Sequence, residues 1–179
     1  MREETGKSEL EAIRDWYAYN TFVRRRYLRF LQRLPKGVIT KGKEASFPSI
    51  LEIFTHVLDV YKSTLKGFYE TGKDTELLEH ISLKEMMQEE EEMDAYLSGL
   101  MQRLTPFDLE SPFVYSYGQG KIKRKRRGIL VDVLWHLVEE ELQHLGEINA
   151  LLFQENIDPP VTSWLYWKKH QSNAVRTNT

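Results

Sequence analysis

There is no cysteine among the 179 residues. That absence excludes disulfides, thiolate metal sites and a cysteine nucleophile together. Any thiol chemistry would therefore need a thiol carried in on a small molecule. Also missing is any run approaching the roughly 20 apolar residues that a membrane span requires. Charge of one sign is not in excess: 25 Lys and Arg stand against 27 Asp and Glu, a formal net charge of −2. A chain so balanced has no strong field toward nucleic acid or a membrane surface. Met1 to Gly6 is polar, with no apolar stretch behind it that could serve as a signal peptide. The expectation is a soluble, cytoplasmic protein with neither nucleic acid nor membrane as partner. No internal repeat and no compositional break divides the chain. A single domain over residues 1–179 is expected, with its core at about 8–160 and an aromatic segment and polar tail at 161–179.

What is present is a helical period. Apolar residues are 41% of the chain, enough to bury a core at this length. Over residues 8–34, Ile13, Trp16, Tyr17, Val23, Tyr27, Phe30, Leu31 and Leu34 recur at steps of three and four, and Pro35 and Gly37 stop the pattern. Residues 36–44 read as a polar loop. A second helix is expected to start near Ser46–Phe47–Pro48 and to carry Ile50, Ile53, Phe54, Val57, Tyr61, Leu65 and Phe68 before Gly72. A third spans about 83–104, with Met86, Met87, Met93, Leu97, Leu100 and Met101 inward. Phe113, Tyr115 and Tyr117 alternate in the following connection, as in a short hairpin or extended loop. A fourth helix spans about 127–156, ended by Asn156 and Asp158–Pro159–Pro160. Four amphipathic helices predict an all-α four-helix bundle. The long connection between helices two and three suits a crossover that leaves those two parallel.

Five histidines are candidates for chemistry. His80 and His170 fall in polar segments and read as solvated. The fourth helix carries His136, Glu139, Glu140, Glu141 and His144. Residues four apart share a helix face, so Glu140 and His144, or His136 and Glu140, could grip one metal ion with an imidazole and a carboxylate. His136 and His144 are separated by a rise of about 12 Å, against a metal–nitrogen bond of about 2 Å, so one of them lies outside any such site. At about 100° per residue, His144 falls about 40° from the centre of the apolar stripe, Glu140 about 80° and His136 about 120°. Glu140 and His144 are the better inward pair. Glu141 falls almost on the stripe, where a carboxylate needs a partner; ligand, partner of a histidine and ion-pair member are all open to it. His56, four residues after Glu52 and three before Asp59, lies at the edge of the second helix's core face.

Other patterns lead elsewhere. Glu141-x-x-His144 matches one element of a ferritin-like di-iron bundle, but no second Glu-x-x-His occurs and that site needs two. The helical histidines are too few for a haemerythrin-like site. The basic run 121–127 reads as a solvated loop leading into the fourth helix. Glu89 to Glu92 reads as a solvated helical face, and the nearby methionines as core filler.

Two stretches carry a family resemblance. Ser49-Ile-Leu-Glu-Ile-Phe-Thr-His56-Val is similar to the second helix of the DinB-like metal-binding four-helix proteins. His136-Leu-Val-Glu-Glu-Glu-Leu-Gln-His144-Leu-Gly-Glu-Ile148, followed by Ile157-Asp-Pro-Pro, resembles that family's His-x-x-x-His-Glu-x-x-His-x-Gly-Gln and its proline-containing exit. The resemblance implies that His56 and His144 are metal ligands, that Glu140 stands in for the third histidine, and that Glu141 is the family's glutamate, set behind the ligands. Glu147 replaces the common glutamine. One divalent ion is implied, with zinc, nickel, iron and manganese all compatible with two imidazoles and a carboxylate.

The resemblance further implies metal-dependent transferases that use a low-molecular-weight thiol, alongside homodimers and damage-inducible, stress-related expression. In that picture the partners are a small thiol, an electrophile and a second copy of the chain. Trp164, Tyr166 and Trp167 would cover the pocket mouth or serve as a dimer contact. The alternative is a non-catalytic interaction protein with a structural or vestigial metal site, in which the basic run meets the partner.

Overall fold

A computed structural model describes residues 2–42, 45–73, 75–78, 81–117 and 124–176. In chain order among the described residues come α1 (Arg2–Leu31), a short α2 (Lys36–Thr40), α3 (Ile50–Tyr61), α4 (Leu83–Arg103), the strands β1 (Pro112–Tyr117) and β2 (Arg124–Ile129), α5 (Leu130–Gln154) and α6 (Trp164–Arg176). Past Tyr61, α3 continues in wider π-type turns over Lys62–Tyr69. No helix among the described residues is long and apolar enough to cross a membrane.

Helices α1, α3, α4 and α5 form the bundle. The first packs against α4 and α5, and α3 packs against the same two, which puts α1 and α3 on one diagonal. Cross-helix bonds give the directions. Arg14 donates to the carbonyls of Met101 and Leu104, while Thr21 donates to Asp94, so α1 and α4 are antiparallel. Tyr17 meets the Leu134 carbonyl and Arg24 meets Glu141, so α1 and α5 are parallel. His56 meets Glu140 and Tyr61 meets Glu141. Lys62 bonds Glu89 and Glu70 accepts from Tyr96, so the bundle's second and third helices, α3 and α4, run parallel as the crossover requires.

The stripes read from the sequence form the core. Ile13, Tyr17, Val23, Tyr27 and Leu31 of α1 are buried with Ile50, Ile53, Phe54, Val57 and Tyr61 of α3. Met86, Met93, Leu97 and Leu100 of α4 are buried in the same core as Leu130, Leu134, Leu137, Ile148 and Leu152 of α5. Each such side chain taken from water contributes about 1.5–3 kcal/mol.

Local chemistry sets the helix ends. Ser49 caps α3 by accepting from the Glu52 amide. Ser82 and Glu85 exchange bonds in a capping box at the start of α4. After α5, Asn156 takes a left-handed φ of 57°. The Asn156 amide then reaches the Phe153 carbonyl, and the Ile157 amide the Leu152 carbonyl, the double closure of a Schellman motif. Gly67 is needed where it stands: a Cβ there would come within 2.7 Å of the Lys73 carbonyl oxygen.

Several expectations are corrected. Residues 36–40 are helical rather than loop, and α3 starts at Ile50, because Ser49 rather than Ser46 supplies the cap. The chain end expected as a polar tail is helix α6. Trp167 is buried, and the α6 aromatics pack along α1: Trp164 tilted against Trp16 and edge-on to Tyr19, Tyr166 against Phe22. They cover α1, not a pocket mouth, and the exposed aromatic contact offered for a dimer is used within the chain. The second half of the basic run is strand rather than loop: Arg127 pairs with Val114 and Lys125 with Ser116. Residues 118–123, with the first cations of that run, and His80 lie outside the described residues. Glu90, placed on a solvated face, is 3% exposed. It is drawn inward by Arg24 and Arg25, which lie 3.8 and 3.9 Å from its two oxygens.

Candidate metal centre

Antiparallel packing of α3 on α5 brings one edge of each helix's apolar stripe together. His56 comes from α3; Glu140 and His144, one turn apart, come from α5. The Glu140 Oε1 atom lies 3.2 Å from His56 Nε2 and 3.3 Å from His144 Nε2. One donor atom from each residue lies within 4.8 Å of the others. The side chains are partly open, at 25% for His56 and Glu140 and 13% for His144. The two imidazole nitrogens face the carboxylate oxygen between them, so the donor set fits one divalent ion.

The surroundings hold these groups in place. Glu147, one turn beyond His144, brings Oε2 to 3.2 Å from His144 Nδ1. Its carboxylate also accepts from the Ser46 amide and hydroxyl, each at 2.5 Å. Phe47 stacks on His56 with ring centroids 4.4 Å apart and meets His144 edge-on at 5.7 Å. Hydrogen bonds from His144 and then His56 hold the Glu140 carboxyl far below the usual carboxylate range, against the opposing effect of burial. The bond to Glu140 pushes the His144 imidazole up, burial opposes it, and Glu147 adds to the rise. One turn along α3 from His56, burial raises the Asp59 carboxyl to about 6, although the Leu78 amide donates to it.

Glu141 takes the ion-pair role, not a place behind a histidine. It is fully buried, and its Oε2 accepts from Arg24 at 2.6 Å and from Tyr61 at 2.7 Å. The 100° step between neighbours explains the split: Glu140 faces the α3 edge while Glu141 faces the bundle axis. His136 is 52% exposed, with the Glu139 carboxylate of its own helix 4.0 Å away. His170 is exposed and lies against Tyr166. Sequence reasoning missed Ser46, Phe47 and the role of Glu147. The spacing of Glu147 to His144 was a visible signal; nothing in the sequence placed Ser46 beside either.

A cavity of about 850 Å³ opens between α1 and α4 and is lined by Arg14, Tyr17, Thr21, Arg25, Asp94 and Met101 among others. None of the three donors borders it. The candidate chemistry therefore sits at an open edge of the bundle and not in this hollow.

Comparison with known proteins bears on the fold. A DinB-like protein from Bacillus cereus ATCC 10987 has a crystal structure that superposes with a TM-score of 0.62 at 16% identity, covering 86% of this chain and 97% of that one. At that identity the likeness concerns the fold alone. No curated protein matches the chain. The model of the DinB family matches residues 1–173, and the chain belongs to the DinB family.

Proposed function

We propose that this chain binds one divalent ion at His56, Glu140 and His144 and uses it to transfer a low-molecular-weight thiol to an electrophile. The observation that carries the reading is the convergence of three donor atoms from α3 and α5 within 4.8 Å. Three protein ligands leave positions for solvent or substrate, which is the habit of catalytic rather than structural sites. The bundle buries its own apolar stripes, so folding does not depend on an ion. When bound, a zinc, nickel, iron or manganese ion would supply a Lewis acid that lowers the pKa of a thiol or water beside it. The protein supplies the rest. His56 and His144 present Nε2 to the same point, Glu140 adds a negative charge there, and Phe47 walls off one face of His56 from water. With no cysteine in the chain, no internal thiol competes with one from solution.

Metal analysis of the purified protein beside a His144→Ala variant tests the centre. About one ion per chain is expected, as for one three-ligand site, with most of it lost in the variant. A panel of biological thiols against a generic electrophile, with and without each metal, tests the transfer. If no pairing exceeds the uncatalysed reaction, the transferase reading falls.

A second reading, an interaction protein, has one observation in its favour. Lys125, Arg126 and Arg127 are exposed on β2, and residues 111–131 contain no acidic side chain. Association with a polyanion that weakens steeply with salt would favour it.

A further inference from the structure

Glu147 touches two things that no other described residue joins. One is the ring nitrogen of His144 that faces away from Glu140. The other is the segment just before α3, held through both the amide and the hydroxyl of Ser46. The next residue in that segment, Phe47, stacks on His56. One carboxylate on α5 thus reaches both histidines, His144 directly and His56 through Ser46 and Phe47. The contact spans 101 positions of sequence and is 24% exposed at Glu147, far enough from water for a charge-assisted bond to hold its geometry.

We infer that Glu147 is the positioning residue of the metal centre: it anchors His144 through Nδ1, so that Nε2 is the atom offered to the ion, and it clamps the Ser46–Phe47 segment against His56. The inference rests on the metal-binding reading of His56, Glu140 and His144. The logic is general. A ligating histidine is fixed in tautomer and orientation by the acceptor on its other nitrogen, and losing that acceptor costs roughly 10- to 100-fold in metal affinity. Here the acceptor has a second task, because the carboxylate's two oxygens also take the donors of Ser46. A glutamine at this position keeps one carbonyl oxygen for the imidazole and the Ser46 hydroxyl, but turns its NH2 toward the Ser46 amide, where two donors meet and the bond is lost. It would preserve the first task and weaken the second.

Zinc titration by calorimetry on the full chain, for wild type, Glu147→Ala, Glu147→Gln and Ser46→Ala, reads the first task. Hydrogen exchange at the Ser46 amide in the metal-free proteins reads the second. The expected result is a loss of roughly 10- to 100-fold in zinc affinity for Glu147→Ala and recovery of most of it in Glu147→Gln. Ser46 exchange should be faster in Glu147→Ala than in wild type, while protection in the α5 core is unchanged. A purely structural role would not give rescue by glutamine together with intact core protection. If wild type binds zinc and Glu147→Ala binds it equally well, or if Ser46 protection is the same in both, the inference is overturned and the metal reading survives. If wild type binds no zinc, nickel, iron or manganese, both are overturned.

Discussion

At the scale of single residues, position 140 separates this chain from the all-histidine pattern it resembles. A carboxylate held ionised by two imidazoles makes the centre more anionic, and so less able to favour the deprotonated form of a thiol. Glu140→His should raise transfer activity at neutral pH. It should also move the rising limb of the pH–rate profile to lower pH, the limb that reports the thiol's ionisation. A profile that shifts upward would contradict this account of the charge. Distance gives a second residue-level expectation. His56→Ala should remove most bound metal, as should His144→Ala, whereas His136→Ala should leave it intact, since His136 is half exposed and, among the described residues, has Glu139 of its own helix as its ion-pair partner. Metal content by mass spectrometry decides between them.

At the scale of elements, the buried charges link all four bundle helices. Arg24 of α1 meets Glu141 of α5 and lies beside Glu90 of α4, while Tyr61 of α3 donates to Glu141. Removing the cation would leave buried carboxylates uncompensated, so Arg24→Met should cost about 3–5 kcal/mol in denaturant unfolding. Glu90 responds to pH. Burial raises its carboxyl to about 7, with Arg24 opposing, against about 4.3 in the unfolded chain. The folded state therefore keeps a proton that the unfolded state releases. This group's contribution is most favourable below about pH 4.3, declines as pH rises to about 7, and is constant above that. Glu90→Gln should flatten that window and raise the melting temperature at pH 8 by a few degrees, on the order of 1–2 kcal/mol. The bundle helices were legible because their apolar residues keep a helical period over many turns, and Glu140 with His144 was legible because both sit on one face of such a helix. Glu90 was not. A run of four glutamates looks solvated unless one knows that Arg24 lies across from its second member. The burial of Trp167 was equally invisible, since nothing local says that α6 folds back on α1. Trp167→Ala should destabilise the protein by about 3–5 kcal/mol, a loss that a free-standing tail would not register.

At the scale of the whole molecule, assembly remains a proposal. With the α6 aromatics packed on α1, a homodimer needs another face, and sedimentation equilibrium at micromolar concentration is expected to return twice the chain mass. A monomeric mass would remove the dimer. The layout of the candidate centre has a consequence in time as well as in space. His56 and Glu140 are 84 residues apart, and they meet only when α3 docks on α5 across the crossover and the hairpin. Contacts between such distant segments require a large loop to close and tend to form late. An ion joining them would then hold the native state without helping to build it, because interactions absent from the folding barrier act on the escape rate alone. Stopped-flow measurements with saturating zinc should find refolding unchanged and unfolding slowed: the metal would act as a clock on how long the folded protein lasts.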